Sequence, residues 1–201
     1  MSKHIRLGFA LLLVGALGAC ESMNFRPVAN LLAPAPLPQY KVGDKFTFKI
    51  VTVDDVQEVT AVNGDTVTIK STTFGTLTQQ RDFSNPESWT GGLVNAYKAK
   101  PNGKISGLFP LKTGNQVKGA GAYEYNTSGT YDRTCTVNRQ ISVTVPAGDF
   151  DTYEIECKMD YLTDGYTSLE SDVIWYAPKI NHWVAINRHN RLFVLRSYSK
   201  K

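Results

Sequence analysis

Histidine and cysteine are scarce here, with three of each among 201 residues. His182 and His189 form no His-x-x-x-His pair or similar ligand spacing, and neither stands near a cysteine in sequence, so the spacing argues against a zinc-type centre and no metal or cofactor is implied. Their odd separation puts them on opposite faces of an unbroken strand, which reads them as surface or turn residues. No Gly-x-Ser-x-Gly elbow, Walker loop or dinucleotide fingerprint occurs. A hydrolase would need His182 or His189 beside a carboxylate in a cleft, and no nucleophile–base spacing supports one, so the chain reads as non-catalytic. Lysine and arginine total 22 against 18 acidic residues, without a basic run, which leaves no electrostatic case for nucleic acid. No apolar run reaches the roughly 20 residues of a spanning helix. Beyond the N-terminal stretch there is no amphipathic helical period of about 10 residues or more.

What is present begins with Lys3, His4, Ile5 and Arg6, then an apolar run over 7–17. That is a basic region followed by a hydrophobic core of about the 7–15 residues of a secretory signal. The run ends in Leu17-Gly18-Ala19-Cys20, which resembles the lipobox of bacterial lipoproteins. The resemblance implies cleavage before Cys20, diacylglycerol on its thiol and acylation, as by palmitate, of the new amine. Two or three acyl chains, at about 0.8 kcal/mol per buried methylene, anchor a protein stably where one does not. The alternative is an ordinary secretory signal with a chance cysteine. Glu21 stands where an aspartate marks inner-membrane retention, which favours the outer membrane, the domain facing the periplasm. The expected organisation is a signal peptide over 1–19, a lipidated, proline-rich tether over 20–39 and a β domain over 40–201. Pro27, Pro34, Pro36 and Pro38 stiffen the tether; alternatively Leu31 and Leu32 pack on the domain. Losing Lys3 and Arg6 with the leader lowers the formal charge from +4 to about +2.

From Tyr40 onward the period is two. Phe46, Phe48 and Ile50 alternate with Thr47 and Lys49, and Asn63-Gly64 joins Val59–Val62 to Val67 and Ile69 as a hairpin turn. A Thr-rich strand over 72–83 precedes two irregular stretches, 84–101 and 103–115. Strands resume over 116–127, 130–145, 151–163, 168–177, 182–188 and 191–199. This predicts an all-β domain: a single curved antiparallel sheet or half-open barrel of about 9–11 strands, with few or no helices. Acidic residues such as Asp54, Asp55, Glu154 and Glu156 read as solvated outward positions.

With Cys20 assigned to lipid, Cys135 and Cys157 remain, an even pair in an oxidising compartment. They lie on strands flanking Pro146-Ala147-Gly148-Asp149, each on a face rich in apolar residues. That face includes Arg139 and Ile141 on the first strand and Tyr153 and Ile155 on the second. A four-residue loop would leave Cys157 three positions from opposition to Cys135, so a disulfide needs a bulge or a tighter turn. Two buried free thiols, or a metal pair, are the alternatives.

Four motifs, Val42-Gly43-Asp44-Lys45-Phe46-Thr47-Phe48, Phe109-Pro110-Leu111-Lys112-Thr113-Gly114, Val143-Thr144-Val145-Pro146-Ala147-Gly148-Asp149-Phe150-Asp151-Thr152-Tyr153 and Trp175-Tyr176-Ala177-Pro178 followed by Trp183-Val184, resemble those of uncharacterised bacterial envelope proteins. The resemblance implies a fold similar to the open half-barrel of lipoprotein-carrier proteins. Each motif also has a structural reading: Pro-Ala-Gly as a tight turn, Phe150 and Tyr153 as buried re-entry residues, Pro178 as a strand stop. The functional alternative places Trp175, Tyr176, Trp183, Tyr153 and Phe150 on a concave ligand-lining surface. Two roles stay open: a membrane-anchored protein binding an apolar, lipid-like ligand or a protein partner, and a structural component of an envelope assembly that uses loops 84–101 and 103–115. A Cys20→Ala chain is expected in the soluble fraction and the parent chain in the membrane fraction; recovery of unlipidated, soluble parent protein would refute the anchor.

Overall fold

The structure is a computed structural model that describes residues 23–83, 85–103 and 107–201. Cys20 and the expected signal peptide lie outside the described residues. Thirteen strands follow one another: β1 Asn24–Arg26, β2 Lys45–Ile50, β3 Val53–Asn63, β4 Thr66–Ser71, β5 Gly75–Gln80, β6 Ser88–Gly91, β7 Lys98–Pro101, β8 Gln116–Glu124, β9 Ser128–Val145, β10 Gly148–Thr163, β11 Tyr166–Ala177, β12 His182–Arg188 and β13 Arg191–Ser199. A 3₁₀ turn over Pro178–Ile180 is the sole helical element among the described residues. The fold is all-β, and the paired strands are antiparallel.

The sheet runs β6-β5-β4-β3-β2-β13-β12-β11-β10-β9-β8-β7, with β1 added beside β9. Thirteen strands exceed the expected 9–11 because three short ones carry no alternation of their own. β1 lies in the segment expected as tether, and β6 and β7 lie in the irregular stretch 84–101. All three owe their form to pairing with a neighbour, which a period cannot signal. β6 and β7 are the two ends of the path, and they meet. Trp89 N–H donates to the Tyr97 carbonyl at 2.8 Å, and Tyr97 N–H to the Trp89 carbonyl at 3.0 Å. The sheet is therefore a nearly closed barrel.

Antiparallel order sends alternate turns to opposite ends. The turns after β3, β9 and β11 lie at one end, which is filled. Residues 32–40 and 107–111 pack across it: Ala35 bridges Leu111, Leu108 and Leu111 are fully buried, and Tyr153 donates its hydroxyl to the Ala33 carbonyl at 2.9 Å. The proline-rich segment thus lies along the barrel from Met23 onward, with Leu32 packed on the core and Leu31 exposed. Asp44 fastens the chain's end here. Its buried carboxylate accepts from Lys201 N–H at 2.9 Å, Lys41 N–H at 3.0 Å and Lys200 Nζ at 2.6 Å. Burial opposes its ionisation, but these donors prevail and hold the carboxyl below its ordinary value.

The longest hairpin, β9–β10, sets the register of this wall. Its loop is two residues, Pro146-Ala147, so Val145 pairs with Gly148, which adopts a φ of +127°. A bulge at Asn138 then lets Arg139 pair with Glu154 and Val137 with Ile155. The tighter turn and the bulge together bring Cys135 directly opposite Cys157, and the two form a disulfide with Cα atoms 4.0 Å apart. The bulge also changes which face Arg139 meets. It lies outside the barrel, chelating Glu154 at 3.1 and 2.9 Å, rather than on the disulfide's face. The cross-link closes a loop of sequence separation 22, which predicts about 3 kcal/mol lost on replacing both cysteines by alanine. Urea denaturation of the two forms measures this; an unchanged midpoint would show that the hairpin holds without it.

Candidate functional site

The opposite end of the barrel, where the turns after β2, β4, β6, β8, β10 and β12 gather, is open. It holds a cavity of about 730 Å³, within the 300–1,000 Å³ range of small-molecule sites. One wall is aromatic. Phe193 stacks on Phe74 at 6.1 Å, Phe74 meets Trp89 edge-on at 5.6 Å, and Trp89 stacks on Tyr97 at 4.8 Å. Tyr97 stacks on Tyr123 at 6.3 Å and Tyr123 meets Tyr161 at 4.9 Å. This belt crosses the seam where the sheet closes, so one pair of side chains serves both closure and lining. Burial pushes the Tyr97 and Tyr161 hydroxyls up from their ordinary value.

The other wall carries charge. Adjacent registers pair Cys135 with Cys157, Cys157 with Asp172, and Asp172 with Arg188. Arg188 donates to Asp172 at 3.1 Å and to Glu87 at 3.1 Å. Burial works against its charge, but the two carboxylates outweigh it and raise its basicity. One rung nearer the mouth, Arg133 pairs with Met159 and Met159 with Glu170. Glu170 lies 3.1 Å from His189. That hydrogen bond raises the imidazole above its ordinary value, with burial opposing. His189 therefore meets the condition set for a hydrolase, an imidazole beside a carboxylate in a cleft, and what a hydrolase would need beyond it is a nucleophile. Among the described residues no serine, threonine or cysteine side chain hydrogen-bonds its ring.

The residues expected to line a ligand surface do not line this cavity. Trp183 stacks on Phe48 at 3.8 Å, and Tyr176 sits between Phe83 and Phe109 at 5.7 and 5.8 Å. Trp175 is covered by Phe25 at 5.3 Å and donates to Glu154 at 3.2 Å. Phe150 packs on Tyr198 at 6.1 Å, and Tyr153 caps Ala33. Each borders a turn of the filled end, so these motifs shape the core there. Their structural reading holds, with Pro178 following the last residue of β11. Loops 84–101 and 103–115 are likewise largely built in, the first as β6 and β7 and the second partly across the filled end.

Three polar residues depart from the solvated reading. Asp55 is fully buried and accepts from Gln57 at 2.8 Å, Ser71 at 2.6 Å, Thr72 at 3.2 Å and the Thr73 N–H at 2.9 Å, which pins the turn after β4. Glu154 is buried between Arg139 and Trp175. His182 is fully buried among Phe46, Trp183 and Tyr40, whose hydroxyl lies 2.8 Å from its Nδ1.

No protein-family model matches the chain, and no curated protein matches it. Two solved structures do. A Bacteroides fragilis NCTC 9343 protein, named an exported protein with YmcC-like fold, superposes with TM-score 0.52 at 16% identity, over 83% of this chain and 100% of its own. Escherichia coli K12 YmcC, named a hypothetical lipoprotein, superposes with TM-score 0.53 at 8% identity, over 85% and 90%. The chain has the YmcC-like fold. At such identities the likeness concerns backbone architecture, and the cavity of this YmcC-like barrel is described by its own residues.

His182 makes a pH test of the filled end. Burial first, then the Lys200 charge, holds its imidazole well below the ordinary 6.5. The unfolded chain protonates there while the folded one stays neutral, so this contribution is present above about pH 6.5 and is lost as pH falls. Thermal melts should show His182→Gln losing less stability than the parent between pH 7 and pH 5; parallel losses would contradict the assignment.

Proposed function

We propose that this is a membrane-anchored, non-catalytic envelope lipoprotein whose barrel holds a lipid-like apolar ligand. The open, aromatic-walled cavity carries this reading. A closed sheet that filled its whole interior would leave no such space, and here the packing stops half-way along the strands. The lipobox-like Leu17–Cys20 supports the anchor, and so does the likeness to two proteins named as exported and as a lipoprotein.

The course of β1 supports one direction for such an anchor. β1 pairs Asn24 with Thr144 and Arg26 with Ser142, beside the Pro146-Ala147 turn of the filled end. Cys20 precedes Met23 by three positions in the sequence. A lipid on Cys20 would hold the filled end against the membrane and leave the cavity mouth facing away. For an outer-membrane anchor the mouth opens to the periplasm.

The rim favours a second reading, a protein partner that docks at the mouth. Val51, Leu93, Tyr166 and Leu169 are each more than two-thirds exposed, and all lie in or beside turns of the open end. Both readings use one opening, since a ligand has to be delivered or received there. Native mass spectrometry of gently extracted protein tests the first. Bound lipid, or a mass shift with added single-chain lipids, is the expected result; an unshifted, lipid-free protein would sink the ligand reading.

A further inference from the structure

One charge in the cavity has no counter-charge in contact with it. Arg133 is 4% exposed and lines the cavity. Its hydrogen-bond acceptors are sulfur atoms: Nε donates to Cys135 Sγ at 3.3 Å and Nη1 to Met159 Sδ at 3.1 Å. Thioether and disulfide sulfur are weak acceptors, and a guanidinium carries five N–H donors. Among the described residues no carboxylate forms an ion pair with it: Glu87 and Asp172 Oδ2 pair with Arg188 and Glu170 pairs with His189, and Asp172, whose Oδ1 has no hydrogen bond, acts on Arg133 only as a nearby charge that burial outweighs. Three arginines (133, 188 and 191) and three carboxylates line the space. The preference is therefore local, set by which group is left unpaired rather than by net charge. An ion removed from water without a partner is unfavourable until something supplies one.

The surroundings select what that partner is. Tyr97 and Tyr161 feel the Arg133 charge. Their hydroxyls lie 3.4 Å apart, and among the described residues the other acceptor of the Tyr161 hydroxyl is Met159 Sδ at 3.3 Å. These add neutral donors beside a planar, forked cation, a geometry suited to an oxyanion. Outward from this point run the rings of Tyr123, Trp89, Phe74 and Phe193, which suit a hydrocarbon chain.

We propose that the cavity takes a single-chain amphiphile head first, with an anionic carboxylate or phosphate oxygen on Arg133 and the acyl chain along the aromatic belt. This rests on the apolar-ligand reading above and adds to it the charge and orientation of the ligand. Arg133 is a binding residue here, and the belt sets the chain's path to the mouth.

Titration of the full chain carrying Cys20→Ala, followed by tryptophan fluorescence, to which Trp89 contributes from the cavity and Trp175 and Trp183 from the filled end, tests this with palmitate, hexadecyl phosphate and hexadecanol. Palmitate or hexadecyl phosphate should bind about ten-fold or more tightly than hexadecanol, and the tighter of the two names the natural head. Arg133→Met should equalise the ligands and leave hexadecanol unchanged. Arg133→Lys, which keeps the charge, should retain part of the preference, and Arg191→Gln at the mouth all of it. Equal binding of charged and uncharged ligands by the parent chain, or an undiminished preference in Arg133→Met, would overturn this inference alone. Binding of none of the three would overturn the ligand reading as well.

Discussion

A pair of backbone hydrogen bonds between Trp89 and Tyr97 joins the two edges of the sheet. An open sheet of this length would expose two rows of unpaired amides and carbonyls, an invitation to associate with other chains. Joining the edges removes that liability and converts a concave surface into an enclosed one. The cavity exists because of this closure, and its aromatic wall is continuous because the closing residues are themselves a tryptophan and a tyrosine stacked at 4.8 Å.

The interior is then divided between two uses. Toward the filled end, Phe46, Phe48, Tyr176, Trp183 and Leu195 are buried almost completely and pack as a conventional core. Toward the open end the same strands present Arg133, Asp172, Arg188 and Glu170 inward. Such positions weaken a core. Their grouping around one cavity sets this half of the barrel apart as the part shaped for something other than packing. The disulfide rung marks the boundary, with Arg133 one rung above it on β9 and Met159 one rung above it on β10.

Much of the architecture was legible in sequence. Alternation located β2 and the long strands β8 to β13, and Asn63-Gly64 located the turn after β3. Pairing-dependent features were not: β1, β6 and β7 have no period, and the bulge at Asn138 leaves no compositional mark. That bulge is why an uninterrupted period put Arg139 on the disulfide's face. The site was less visible still. Aromatic motifs drew attention to Trp175, Tyr176 and Trp183, but their place beside turns of the filled end emerges only from strand order. A usable signal did exist. Arg133 breaks an apolar odd-numbered face that contains Tyr131, Cys135 and Val137, and a charge on an otherwise inward face deserves a functional question before a solvated one. Asp55 and His182 show the same point from the other side, as polar groups buried for turn and core.

The seam has a consequence for how the barrel is assembled. Trp89 and Tyr97 are close in sequence, so joining the sheet's edges closes only a short loop. The pairing that spans the chain is β2 with β13, where Phe48 meets Leu195 in the middle of the sheet. Loop-closure entropy grows with the separation joined, and non-local pairing slows folding. The step that looks like the last stitch in space is thus among the least demanding along the chain. The demanding step is the meeting of first and last thirds, where Asp44 clasps the final lysine's backbone.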